Sequence, residues 1–474
     1  MSIIERELGR MYTDAEIAQQ QKLDNVTVEE HWCTVDKKLG TIVDDALRGE
    51  ILAELKSLYS IYKKELIDWY ANLYDPNIGG YYYSNSARDN ETVEYEGETY
   101  ELLPDLESTC QAIGVIRNSG MADKFDKDIA RALPEWMKDQ IVPFVRNMQD
   151  EKSGYFYHPQ WGKELTDKWP NRRGRDLTWA LRTLERYSEK PYFKSPLENR
   201  SEDKKTQKAE TAPHLRDKES FIEYLDTRGF DSDKPFTAYY IGSLFESQVM
   251  EIVARDRELE SEGANYRLLQ VMKEWFDSRF NKQNGSWTNA PLCYDTCNGI
   301  LKISSTYARA NLPLPDPIKS LETVIKCVAL DEKPLHICCI LNPWYALNTI
   351  IGSVRDFAVQ NGDEESLATL KTMRQNVLKD FPLMVRKTAE KLKLFVKADG
   401  SFSYFADRSA DRSQNLPVAI PYTNEGDMNA TMICSVAIPN HIFSYLGLET
   451  FPLFTESDRM RYVNILERNR MKSK

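Results

Sequence analysis

The feature that most constrains this chain is a unit that recurs four times along it. Asp75-Pro76-Asn77-Ile78-Gly79-Gly80-Tyr81 precedes Asp105-Leu106-Glu107-Ser108-Thr109, and Asp150-Glu151-Lys152-Ser153-Gly154-Tyr155-Phe156 precedes Arg175-Asp176-Leu177-Thr178. Asn281-Lys282-Gln283-Asn284-Gly285-Ser286-Trp287 precedes Tyr294-Asp295-Thr296-Cys297, and Lys397-Ala398-Asp399-Gly400-Ser401-Phe402 precedes Glu425-Gly426-Asp427-Met428. Each unit is a polar turn, a glycine, an aromatic, a variable loop, and an acid just before an apolar helix. The glycine permits positive φ, and the aromatic plugs the turn onto a neighbouring helix. The acid accepts bonds from free amides and suits the positive end of the helix dipole. Helix starts near Phe245-Glu246-Ser247 and Leu341-Asn342-Pro343-Trp344 bring the expected total to about six helical hairpins. A single hairpin cannot bury its own apolar face, so the units are expected to close on one another as a ring.

Helical spacing dominates elsewhere, in 49–73, 122–148, 264–280, 363–394 and 457–470, and only short aromatic runs such as Tyr81-Tyr82-Tyr83 suit strands. The expected fold is therefore all-α: an N-terminal helical extension over 1–45, then one domain over 46–474. The arm from Asp14 to Val28 carries few large apolar residues and is expected to be mobile. Segment 195–220 is polar and charged, and reads as an exposed loop. The 474 residues carry 62 Lys and Arg against 73 Asp and Glu, a net charge of −11. That acid surplus argues against a nucleic-acid partner, and no apolar run is long enough for a membrane span. The start lacks the basic-then-apolar order of a secretory signal, and eight cysteines, two of them adjacent at Cys338-Cys339, suit reduced thiols. A cytoplasmic location is expected.

The repeat resembles those of the α/α-toroid proteins: terpenoid cyclases, protein prenyltransferase β-subunits, and the (α/α)6 glycoside hydrolases and polysaccharide lyases. The resemblance covers about residues 50–450. It implies a single toroid of about six hairpins whose loops before the inner helices gather at one mouth. That mouth would hold Asp105, Glu107, Asp176, Glu246, Asp295, Glu425 and Asp427. Around them would stand Tyr81, Tyr82, Tyr83, Tyr155, Tyr157, Trp161, Trp169 and Trp287.

Carbohydrate chemistry fits these residue types best, since glycoside hydrolysis uses one carboxyl to protonate the leaving oxygen and another to activate water or attack. Glu107 enters an apolar run, which raises a carboxyl pKa, and is expected to be the proton donor. Asp176, beside Arg172, Arg173 and Arg175, or Asp427 is its expected partner. Tyr81, Tyr83, Tyr157, Trp161 and Trp287 are expected to stack on sugar rings, with Asp105, Asp295 and Glu425 as further substrate contacts. Arg88, Arg172, Arg173, Arg175, Arg408 and Arg412 suit a uronate carboxylate, and a Tyr or His, with His158 best placed, would serve as the base of a lyase. The substrate expected is an oligosaccharide, with no cofactor and no committed metal.

Three other readings follow from the same residues. Leu103-Pro104-Asp105-Leu106-Glu107-Ser108-Thr109 is similar to the acid motif of class II terpene cyclases, with Glu107 at the protonating position and Ser108 where the last Asp belongs. Tyr294-Asp295-Thr296-Cys297 with Leu335-His336-Ile337-Cys338 is similar to the zinc ligands of prenyltransferase β-subunits. A non-catalytic helical ring that binds a partner is the third.

Overall fold

The computed structural model describes residues 11–196 and 211–473 and is mainly helical, with three small two-stranded antiparallel pairs. The longer helices are α1 (Asp14–Leu39), α2 (Asp45–Tyr59), α3 (Leu66–Asn72), α4 (Leu106–Asn118), α5 (Glu135–Arg146) and α6 (Pro170–Arg186). They continue with α7 (Pro235–Ser261), α8 (Leu268–Asp277), α9 (Tyr294–Ala310), α10 (Pro317–Val328), α11 (Cys338–Asn361) and α12 (Glu364–Leu392). Helix α13 (Met428–Met432) runs through one π-turn into α14 (Ile438–Tyr445), and α15 (Glu456–Lys472) ends the chain. The strand pairs are β1–β2 (Tyr74–Asp75, Gly80–Tyr81), β3–β4 (Thr92–Tyr95, Glu98–Glu101) and β5–β6 (Arg412–Ser413, Leu416–Pro417).

The recurring turn is built around a left-handed glycine in all four places. Gly79, Gly154, Gly285 and Gly400 all have positive φ, between 66° and 91°. Each glycine amide donates back to the start of its turn: Gly79 to Asp75 O, Gly154 to Asp150 O, Gly285 to Asn281 O (2.8 Å each) and Gly400 to Lys397 O (3.1 Å). The aromatics Tyr81, Phe156, Trp287 and Phe402 that follow are all buried. In the first and last units the match extends further. The amides of Tyr81 and Phe402 donate to the hydroxyls of Thr109 and Thr431, each at 3.0 Å. Each of those threonines sits four residues past the aspartate that caps its helix, Asp105 on α4 and Asp427 on α13.

Elsewhere the acid is not at the helix start. Pro170, whose fixed φ suits a first helical residue, begins α6 six residues before Asp176. Cys293, not Asp295, caps α9. Glu246 lies in the middle of α7, and α11 begins at Cys338 and carries Pro343 inside it. The arm expected to be mobile is the 26-residue α1, held at its start by a Thr13–Glu16 capping box and packed on α15. Asp24 of α1 accepts from the Ser457 amide at 2.8 Å. Most of the expected 195–220 loop lies outside the described residues, but its end is structured: Leu215 is buried and a helix starts at Lys218.

Packing follows a chain of long helices: α6 on α4, α4 on α13, α14 on α11, α11 on α9, and α9 on α7. The buried apolar residues form two large clusters. One surrounds α3–α6 and α15, the other α2, α7–α12 and α14, and Tyr404 and Met432 pack against both. Among the described residues no helix is long and apolar enough to cross a membrane.

Gly285→Ala should destabilise the protein by at least about 2 kcal/mol in denaturant titrations, because φ is positive and a Cβ would collide with the Lys319 backbone. Gly97→Ala, also at positive φ but with open space around it, should cost only about 1 kcal/mol.

Candidate functional site

Three of the expected acids converge on one cation. Arg172, in the first turn of α6, has a side chain with no exposed surface. Its Nε donates to both carboxylate oxygens of Asp176 at 3.0 and 3.1 Å. Its Nη1 donates to Glu107 Oε2 at 3.3 Å and to Ser413 O at 3.4 Å, and its Nη2 lies 3.7 Å from Asp105 Oδ1. The guanidinium stacks over Trp161 and Trp179, with centroid distances of 4.3 and 5.2 Å. This arrangement binds α4 to α6: Asp105 caps α4, Glu107 follows in its first turn, and Arg172 and Asp176 are one turn apart on α6.

Burial pushes Glu107 up to about 7; Arg172 pulls it down and Asp105 pushes it up further. Burial likewise raises Asp176 to about 6, against the pull of Arg172, and raises Asp105. Burial disfavours the Arg172 cation, but its three carboxylates outweigh that and raise its pKa. Glu107 rises despite its ion pair because desolvation exceeds the Coulomb attraction. One cation cannot neutralise three carboxylates, so the set retains a proton near neutral pH, and burial favours Glu107 as its holder.

Hairpin β5–β6 closes over this cluster. Its two turn residues, Gln414 and Asn415, have positive φ, the geometry of a tight hairpin turn. Ser413 donates its hydroxyl to Glu107 Oε2, and Pro417 O accepts from Gln160 Nε2 (2.9 Å) and Trp161 Nε1 (3.1 Å). Hairpin β3–β4 braces it, with Tyr95 OH on Asn415 O at 2.8 Å and Arg412 over the Tyr95 ring. Glu107 is thereby only 2% exposed. Two atoms in the cluster, Arg172 Nη2 and Gln111 Oε1, have no hydrogen-bond partner. Gln111 Nε2 joins Glu107 Oε1 (3.2 Å) to Asn429 Oδ1 (3.0 Å) on α13.

Other expected site residues lie elsewhere or are already engaged. Asp427 is buried and pushed up to about 6 by burial. It caps α13 through Ala430 N and accepts from Tyr404 N (2.7 Å) and Ala410 N (3.3 Å). Glu425 is bound by the Ser86 amide (2.8 Å) and hydroxyl (2.5 Å). His158 is a correction to the expected base. Its Nε2 donates to Pro104 O at 2.7 Å, its Nδ1 accepts from Gln160 N at 3.3 Å, and burial drives its pKa down to about 3.

The stacking rings need correction too: Tyr81, Tyr83, Trp161 and Trp287 are all buried and offer no face to solvent. Tyr157 is partly exposed, but it donates to Asp167 at 3.0 Å and Lys163 lies over its ring. Arg88 is paired with the neighbouring Asp89 at 2.7 Å. Arg175 is exposed and makes no ion pair among the described residues. Asp295 and Cys297, two residues apart on α9, face opposite ways, one exposed and the other buried. Cys297 sits with Cys327, His336 lies 3.7 Å from Cys339 Sγ, and no group of three or more metal-ligating side chains assembles among the described residues.

A second feature was missed in the sequence. Helix α11 packs against α9, α10, α12 and α14, yet Asn342, Tyr345, Thr349, Gly352 and Asp356 stay at least partly exposed along one stripe. Polar side chains also join successive long helices: Asn342–Asn298 (2.8 Å), Asn348–His441 (3.0 Å) and Lys302–Glu246 (2.9 Å). The signal was the i, i+3, i+7 spacing of polar residues inside otherwise apolar helices. The larger cavities lie apart from the acids. One of 1010 Å³ lies beside Phe230, Arg279 and Asn281, one of 730 Å³ beside Asn25, Cys33 and Lys37, one of 720 Å³ beside His31, Asp123 and Phe451, and none of them touches the carboxylate cluster.

Neither a protein-family model, nor a curated protein, nor a solved structure matches this chain.

Because folding raises the Glu107, Asp176 and Asp427 pKa values, their contribution to stability is full below the ordinary carboxylate range. It is lost as pH rises through about 6 to 7. Thermal melts should therefore show part of the protein's stability disappearing between about pH 4 and 7. Glu107→Gln should flatten that decline, because it removes the group that titrates near 7.

Proposed function

We propose that this chain is an enzyme of acid–base chemistry acting on oligosaccharides, built as an α/α ring with Glu107 as its proton donor. The observation that carries the reading is a carboxyl raised to about 7 beside an ionised Arg172–Asp176 pair. A general acid has to hold its proton near neutral pH, and this one is held by burial. The succession α6, α4, α13–α14, α11, α9, α7 supports the ring, since each packs on the next. The polar stripe on α11 and the amide links between helices support a hydrated centre rather than an oily one. That lining suits a hydroxylated substrate and works against an alkene.

In this reading the substrate's leaving oxygen takes the place of the Ser413 hydroxyl on Glu107. Hairpin β5–β6 shifts to admit it, and Asp176, held ionised by Arg172, supplies the opposing negative charge. Arg172 Nη2 and Gln111 Oε1, a donor and an acceptor without hydrogen bonds, are suited to hold a sugar hydroxyl beside the reacting bond. Arg175, exposed next to this cluster, suits a carboxylate on the substrate.

The closure of the cluster favours a second reading, a non-catalytic ring that binds glycans, in which Arg172 and its acids only hold α4 to α6. One experiment separates the two. A panel of saturated and uronate-containing oligosaccharides is incubated with wild type and Glu107→Gln, and products are read by mass spectrometry. The enzyme reading expects wild-type turnover that falls as pH rises through about 7, and at least about a 10²-fold loss in the variant. Binding without turnover in both proteins would establish the scaffold instead.

A further inference from the structure

We infer that Tyr345, His441 and Asn348 form a stacking subsite for a neutral sugar ring, about two helical turns into α11 from its start. This subsite rests on the oligosaccharide reading and extends it to a place that the carboxylates do not reach. Tyr345 is 42% exposed although α11 is packed by four other helices. Its ring stacks on that of His441 of α14, with centroids 5.1 Å apart and planes within 24°. One face of Tyr345 is thus backed by the imidazole, and the exposed remainder is held flat.

The polar atoms around it are fixed and uncharged. Asn348 Nδ2 donates to His441 Nδ1 at 3.0 Å and to His441 O at 3.1 Å. With Nδ1 accepting, the imidazole proton sits on Nε2, so the free nitrogen is a donor. Burial keeps the ring neutral, lowering its pKa to about 4. One turn nearer the helix start, Asn342 and Asn298 hold each other at 2.8 Å and leave Asn342 partly exposed. Lys302, one turn past Asn298 on α9, is spent on Glu246 at 2.9 Å.

An open aromatic face, one oriented N–H donor and planar amides, with no uncompensated charge, match a hydroxylated ring with apolar C–H faces. A phosphate or uronate would need a free cation, which this group lacks. Gln111 and Asn429 join the carboxylate cluster to α13, the helix that runs on into α14 and His441. A chain long enough to reach both places would set its reacting bond near Glu107 and a neutral unit on Tyr345.

The test is isothermal titration of Glu107→Gln protein, which blocks turnover, with neutral hexasaccharides of glucose, of xylose and of N-acetylglucosamine, and with adenosine as an unrelated stacking ligand. Tyr345→Ala should weaken binding of at least one hexasaccharide 10-fold or more, and Tyr345→Phe should restore it. His441→Ala should weaken it as well. Circular dichroism checks that each variant is folded, which a partly exposed Tyr345 predicts. Hexasaccharide binding that is unchanged in Tyr345→Ala overturns the subsite and leaves the oligosaccharide reading intact. If no hexasaccharide binds the parent protein, both fall, and Tyr345-dependent binding of adenosine alone would replace the sugar with a nucleobase.

Discussion

A guanidinium withdrawn wholly from water has to be met by negative charge and hydrogen-bond acceptors, and much of the first half of this fold is arranged around that demand. Arg172 binds Asp176 on its own helix, Glu107 on α4 and a carbonyl of hairpin β5–β6, while two tryptophans cover its faces. Removing one partner of such a group leaves a buried charge uncompensated, at a cost of about 3–5 kcal/mol. The same enclosure raises the Glu107 pKa. The structural demand and the raised carboxyl pKa therefore arise from one cause, the exclusion of water from three carboxylates and one cation.

Around that centre the chain repeats a single local solution. A glycine at positive φ reverses the chain, an aromatic seals the turn, and in two units a threonine on the next helix accepts the aromatic's amide. The units then diverge in what they place at the helix start. Asp105 and Asp427 spend their carboxylates on capping amides, whereas α6 starts at a proline and carries its acid nearly two turns further in, where Arg172 reaches it. Repetition supplies the frame, and departures from it supply the ionisable cluster.

The long helices show a second division of labour. Their apolar sides fill two cores that meet at Tyr404 and Met432. The remaining stripe of α11 stays polar and partly exposed, although four helices surround it. Its amides are tied to their neighbours rather than left loose, so the polar surface is ordered before any ligand arrives.

Much was legible in the sequence because it depends on near neighbours. Helix content and the four glycine turns followed from short-range spacing. The β3–β4 hairpin was missed: Val93 and Tyr95 alternate before Glu96-Gly97, but the acidic residues around them masked the pattern. Ser413 and Gln111 as partners of Glu107 were out of reach: Ser413 lies 306 residues away in the chain, and nothing local to either residue encodes the meeting. The same holds for Tyr345 on His441, for Trp161 and Tyr81 as plugs rather than platforms, and for His158 as a buried joint. Local spacing sets φ, caps and amphipathic faces, since those are decided within a turn or two of backbone. Which face meets water, and which carboxyl keeps its proton, is decided by burial, and burial exists only once distant segments have packed.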